Sequence, residues 1–166
     1  MRVLIAGVGN IFLEDDGFGP EVVRALQHEI LPSGARLVDY GIRGVHLAYD
    51  LLESWDALVL IDALPVTGVP GKLAIVEVDP ESEGTQGGRG FDAHSMHPSS
   101  VFASLQALGG TLPRTFVVGA HAKSTGDGIG LSAEMRDSVG QAASAVMALV
   151  RSIDVDCDAT TLGPEV

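Results

Sequence analysis

Apolar residues along this chain fall into two kinds of run. Short aliphatic and β-branched stretches, bounded by turn residues, recur at Val3-Leu4-Ile5-Ala6, Ala35-Arg36-Leu37-Val38, Ala57-Leu58-Val59-Leu60-Ile61, Leu73-Ala74-Ile75-Val76 and Thr115-Phe116-Val117-Val118. They predict five strands, mostly buried on both faces. Between them lie helical periodicities over about 18–30 (Val22, Val23, Leu26 and Ile30 on one side), 44–53, 98–108 and 132–151. Alternation of strand and helix predicts an α/β three-layer sandwich, a mostly parallel central sheet of about five strands flanked by helices. The third and fourth strands are joined only by PVTGVPG, too short for a helical crossover, so one strand is expected to run antiparallel at an edge. Residues 79–96, DPESEGTQGGRGFDAHSM, have no period and many glycines, and predict a mobile loop leading into a helix with Pro98 and Ser99 in its first turn. Residues 1–153 are expected to form one domain, and 154–166, DVDCDATTLGPEV, a polar, flexible tail.

Composition narrows the function classes. A chain of 166 residues that is 46% hydrophobic can bury a core and is not disordered. A net charge of −12 repels polyanions, which argues against nucleic acid and anionic membrane as partners. Cations or a basic partner fit better. The single cysteine, Cys157, cannot form an internal disulfide and sits among acidic residues that disfavour a reactive thiolate. No apolar run is long enough to span a bilayer and the N-terminus lacks signal-peptide features, so a cytoplasmic location is expected.

The stretch GVGNIFLEDDGFGP (7–20) carries the first chemical signal. Gly7-Val8-Gly9 follows a strand and precedes a helix, the context of a dinucleotide fingerprint, but Phe12 occupies the third glycine position. A pyrophosphate there would also face Glu14, Asp15 and Asp16. Like charges about 4 Å apart cost about 4 kcal/mol at an effective dielectric of about 20, so phosphate binding is disfavoured. A purely structural reading has the glycines making a tight turn, Asp16 capping the next helix and Asp15 facing its positive dipole end. A functional reading adds Asp62, which ends the third strand in ALVLIDALP at the edge where the first strand also ends, and His94 and His97 from FDAHSMHPSS. Two carboxylates and an imidazole from three loops suit a divalent transition metal with open positions. Ser132 reads as a helix cap rather than a nucleophile. His28 and His46 read as surface or packing residues. No serine, cysteine or paired-aspartate arrangement for nucleophilic or acid-base catalysis shows in the sequence.

GVGNIFLEDDGFGP, DYGIRG after the second strand, VLIDAL at the third, HSM opening a helix, and VVGA followed by GIGLS, in that order, resemble the hydrogenase maturation proteases. These endopeptidases trim the C-terminal extension of nickel-iron hydrogenase large subunits. The resemblance covers nearly the whole domain, and it is the set rather than any one piece that is specific. It implies that Asp16, Asp62 and His94 bind metal and are required for processing, the metal being nickel supplied by the substrate, with cadmium or zinc as substitutes. His94 is preferred to His97 because its spacing to Val101 resembles the family's. The partner implied is a large-subunit precursor already holding nickel, met by a monomeric enzyme. The metal would act as a checkpoint, and would polarise the scissile carbonyl or activate a water while a carboxylate serves as general base. Asp39, Gly41, Arg43 and Gly44 of DYGIRG are implied to line the substrate cleft. Two departures stand out: the first-loop ligand, often glutamate in relatives, is the shorter Asp16, and GAHAKSTGD before GIGLS differs from the family's usual stretch, leaving His121 without a role. The competing readings are a non-catalytic nickel-binding assembly chaperone and a Rossmann-type nucleotide-binding protein.

Overall fold

The computed structural model describes residues 1–78 and 98–161. Five strands, β1 (Val3–Val8), β2 (Ala35–Gly41), β3 (Ala57–Leu64), β4 (Leu73–Val78) and β5 (Arg114–His121), form one sheet in the order β2-β1-β3-β5-β4. All neighbours are parallel except β4 and β5. The antiparallel edge strand is therefore as expected. Its neighbour is β5 rather than β3, because β5 returns through α3 (Pro98–Ala107) and inserts beside β3.

Period-two alternation sorts the central strands onto two cores. Val3, Ile5, Val59 and Ile61 pack with α1 (Phe18–Leu26) and α4 (Ala133–Thr161) on one face. Leu4, Ala6, Val8, Leu58 and Leu60 pack with α2 (Gly44–Asp50) and α3 on the other. This makes the three layers. β1 and the first part of β3 are buried on both faces as expected, whereas the edge strands are not: Ile75 and Val76 of β4 are about half exposed.

Helix ends depart from the periodicity in two places. α1 stops at Leu26, and Ile30, which the pattern puts on the helix's apolar side, is 91% exposed. Pro32 and the left-handed Gly34 (φ 84°) turn the chain toward β2 and end the helix early. α4 runs to Thr161, so residues 154–161, expected in a polar tail, are helical. No glycine lies between Gly140 and Gly163 and no proline between Pro113 and Pro164, so nothing local stops the helix at 151. Pro98 does open α3. The loop expected over 79–96 lies outside the described residues.

β1 is the topological switch point of the sheet. The chain leaves it through α1 to β2 on one side, and comes back through α2 to β3 on the other. In such sheets the crevice beyond the carboxyl ends of the two strands flanking the switch is where ligands bind. Here those strands are β1 and β3. Gly19 lets α1 close on that crevice: a Cβ there would lie 2.1 Å from the Val8 carbonyl oxygen and 2.5 Å from that of Ile61. Gly19→Ala should therefore destabilise the fold by roughly 1–3 kcal/mol, the range for forcing extra atoms into a packed interior. Urea denaturation checks this; an unchanged midpoint would mean that α1 shifts freely.

Candidate active site

The three consecutive carboxylates of the first loop lie in a 3-10 turn (Glu14–Gly17) between β1 and α1. Successive residues of a tight helix point in different directions, and the three side chains take three different jobs. Glu14 holds a left-handed backbone (φ 46°), and its side chain lies against Gly128 in the loop before α4. A non-glycine residue there costs on the order of 1–3 kcal/mol. It is held by its own N–H donating to the Gly128 carbonyl (2.9 Å), beside the Leu13–Gly128 bridge.

Asp15 turns inward and is fully buried. Its Oδ1 accepts from the Ser132 N–H (2.6 Å) and its Oδ2 from the N–H groups of Lys123 (2.8 Å) and Ser124 (3.2 Å) and from the Ser132 hydroxyl (2.9 Å). Burial pushes its pKa up, but these donors outweigh burial and hold the carboxyl below the usual carboxylate value. Asp15 thus ties the first loop to the β5–α4 loop. It does not serve the dipole of its own helix as the structural reading had it. Ser132 caps α4 as expected, its hydroxyl accepting from the Met135 N–H (3.4 Å).

Asp16 does not cap α1. The cap position falls to Gly17, without a side-chain bond, and Asp16 turns back so that its Oδ2 accepts from the Asn10 N–H (2.7 Å). That bond closes the loop over Gly9 (φ 135°), where a Cβ would strike the Asp16 carbonyl oxygen at 1.9 Å. Only glycine allows the return. Asp62, on β3 directly after the Ile61 that pairs with Gly7, is partly buried, and its Oδ1 accepts from the Ala63 N–H (2.8 Å). Burial, followed by the charge of Asp16, pushes the Asp62 carboxyl well above its usual range. The two aspartates therefore sense each other as a like-charge pair, a pairing the sequence spacing did not reveal.

That pair sets a pH dependence. A carboxyl whose folded pKa is raised leaves the fold unpenalised below its unfolded pKa of about 4 and costs stability as pH climbs through its folded pKa. Asp62→Asn should accordingly raise Tm of the metal-free protein at pH 8, with the gain vanishing below about pH 4. Thermal melts across pH test it, and equal Tm values at pH 8 would contradict the coupling.

Among the described residues no third His, Cys, Asp or Glu joins the pair in a metal-sized cluster. His94 and His97 lie outside the described residues. The period of β3 does place Asp62 on the Leu58–Leu60 face, the face that α3, beginning four residues after His94, covers. Of the DYGIRG residues, Gly41 (φ 53°) reaches the site, its carbonyl accepting from the Gly9 N–H (3.0 Å). Asp39 Oδ1 accepts from the Gly41 N–H (2.9 Å), and the Arg43 guanidinium donates to the carbonyls of Tyr40 and Asp39, so both shape the turn. Gly44 opens α2 and is buried. His121 is structural: its Nδ1 lies 3.0 Å from the Pro65 carbonyl and its ring sits under Gly68. His28 and His46 are exposed.

The chain is similar to known proteins in both sequence and fold. A hydrogenase maturation protease family model matches residues 20–149. The chain is 30% identical over 158 residues to the hydrogenase 2 maturation protease of Escherichia coli, covering 94% of each. It is 31% identical over 121 residues to the hydrogenase expression/formation protein HupD of Rhodobacter capsulatus, 72% of this chain and 57% of that protein. The chain thus aligns with little more than half the length of some curated relatives. Among solved structures it is similar to the hydrogenase maturating endopeptidase HybD from E. coli (TM-score 0.75, 29% identity, 92% of this chain and 93% of that one). It is also similar to a hydrogenase 2 maturation peptidase from a Thaumarchaeota archaeon (TM-score 0.66, 26% identity, 90% and 98%).

Proposed function

Because the chain belongs to the hydrogenase maturation protease family, we propose that it is an endopeptidase that removes the C-terminal extension of a nickel-iron hydrogenase large-subunit precursor once nickel has been inserted. The observation that carries this reading is the Asp16–Asp62 pair at the switch-point crevice, with Asp62 pushed up by burial and by its neighbour's charge. A divalent cation between two such carboxylates relieves both the repulsion and the desolvation that raise Asp62, so the donor set fits a metal. Asp16 and Asp62 supply oxygen donors and His94 the nitrogen donor; nickel arrives with the substrate, and cadmium or zinc would satisfy the same donors. The ion would polarise the scissile carbonyl or lower the pKa of a water, and serve as the checkpoint that the precursor is loaded.

The chain's own groups then divide the work. Asp16, fixed through Asn10, presents one carboxylate at the crevice. Asp62, whose raised proton affinity the ion would offset, would be the second oxygen donor, with a carboxylate of the pair taking a proton from an attacking water. Asp15 keeps the loop that carries Asp16 from shifting. The same pair supports a second reading, in which the two carboxylates share one proton and activate water without a metal, as in aspartyl-type chemistry. Under that reading, processing would survive chelation.

Incubating the purified chain with nickel-loaded precursor and following the precursor's mass tests the proposal. Loss of a C-terminal peptide is expected. An unchanged mass together with stable binding would replace it with the assembly-chaperone role.

A further inference from the structure

α1 and α4 pack against each other over the first core, and an open groove of about 650 Å³ lies between them. That is the size of a small-molecule site. Its walls follow helical spacing: Glu21, Arg24, Ala25 and His28 fall at i, i+3, i+4 and i+7 along α1 and the turn after it, and Arg136, Val139 and Gly140 at i, i+3 and i+4 along α4. On a molecule carrying −12 overall, this lining holds two guanidiniums and an imidazole against one carboxylate. That carboxylate is already neutralised, since Arg24 Nη2 donates to Glu21 Oε2. Arg136 donates from Nη2 to the Leu131 carbonyl (2.9 Å) and, among the described residues, has no carboxylate within ion-pair distance. Gly140 is the second signal. It stands in the interior of α4, where glycine is destabilising relative to alanine, yet a Cβ there would meet no atom within 4 Å. No packing demand accounts for it, and what the missing side chain leaves is room in the groove.

We infer that this groove binds a small organic anion, a phosphate or carboxylate group carried on an apolar body. Arg24 and Arg136 take the anionic group, His28 adds a ring N–H donor, and Ala25, Leu131 and Val139 cover the apolar part. A guanidinium suits such a ligand because its planar fork of N–H groups matches two oxygens of one oxyanion. The groove is separate from the crevice of the aspartate pair. Neither Asp16 nor Asp62 lines it, and an anion is repelled from that pair by charge, so the two places take ligands of opposite sign. An occupant would nonetheless touch both parts of the fold that Asp15 joins: α1, which follows the turn bearing Asp15, and Leu131, which precedes the Ser132 that Asp15 holds. Binding should therefore raise Tm of the whole domain.

Titration calorimetry of the purified chain with phenyl phosphate, benzoate and inorganic phosphate tests the inference without reference to proteolysis. Phenyl phosphate or benzoate should bind on the order of tenfold more tightly than inorganic phosphate, which lacks the apolar body, and the tighter of the two identifies the oxyanion. Arg24→Ala and Arg136→Ala should each weaken that binding on the order of tenfold or more. Arg151→Ala, about 22 Å further along α4, should leave it unchanged. Gly140→Leu should abolish binding by filling the groove, with Tm of the ligand-free protein equal to or above that of wild type, which separates a blocked site from a misfolded one. Absence of binding of both organic anions to wild type overturns the site. So does binding undiminished in the Arg24→Ala, Arg136→Ala double variant or in folded Gly140→Leu, and so does a loss in Arg151→Ala equal to that in Arg136→Ala, which would reduce the effect to general charge. Inorganic phosphate bound as tightly as the organic anions overturns the apolar part of the ligand.

Discussion

Asp16→Asn and Asp62→Asn, made singly, should each lower precursor processing by roughly 10²–10⁴-fold while leaving the protein folded. The substitutions are nearly isosteric, and each keeps an oxygen to accept the local N–H, from Asn10 at position 16 and from Ala63 at position 62. The removed feature is charge. A neutral amide at 62 cannot take a proton from water, and at 16 it is a poor donor to a divalent ion. Loss of activity accompanied by the raised Tm argued above for Asp62→Asn would separate function from folding, since a residue kept for stability should not stabilise the fold when removed. Single-turnover cleavage followed by mass is the measurement, and retention of wild-type rates in either variant would remove that residue from the chemistry.

Asp15→Ala should produce the largest change in stability, roughly 3–5 kcal/mol. The carboxylate is buried and accepts from the backbone N–H groups of Lys123, Ser124 and Ser132 as well as from the Ser132 hydroxyl. Deleting it strands these donors, and each buried orphan costs about 1–3 kcal/mol, partly recovered where water enters. Against a total stability of about 5–15 kcal/mol the loss is large enough to show as partial unfolding. The midpoint of guanidinium denaturation reads it directly. Its pH dependence has the opposite sign to that of Asp62: a folded pKa below the unfolded value gives stability that is present above about pH 4 and lost as pH falls through the folded pKa. The wild type should therefore lose the difference from Asp15→Ala on acidification. A midpoint within about 0.5 kcal/mol of wild type at pH 7 would contradict the clamp.

These three aspartates show why part of the site could be read from the sequence and part could not. Strands and helices announce themselves because hydrophobic period is a local property, and the short PVTGVPG link is enough to expect an antiparallel edge. Which strand lies beside that edge is not local, since an apolar run does not name its partner. Helix ends depend on breakers: Pro32 and Gly34 shorten α1 against its apolar period, and their absence lengthens α4. Asp62 stood out because a carboxylate ending an apolar strand needs a purpose. Of the three neighbouring carboxylates, only the fold decides which finds donors. Asp15 meets Lys123, Ser124 and Ser132, all more than a hundred positions away, while Asp16 is returned toward Asp62 by Gly9. Exposure was hidden for the same reason: Phe12, Ile42 and Ile129 look like ordinary hydrophobic residues until the packing leaves them outside.

Under the proposed function Asp16, Asp62 and His94 read the nickel of a loaded precursor, and parallel digestion of nickel-loaded and nickel-free precursor by the wild-type chain tests that role. A C-terminal peptide should be released from the loaded form alone, with no release when His94→Ala replaces wild type. Equal cleavage of the two forms, or full activity in His94→Ala, would contradict it.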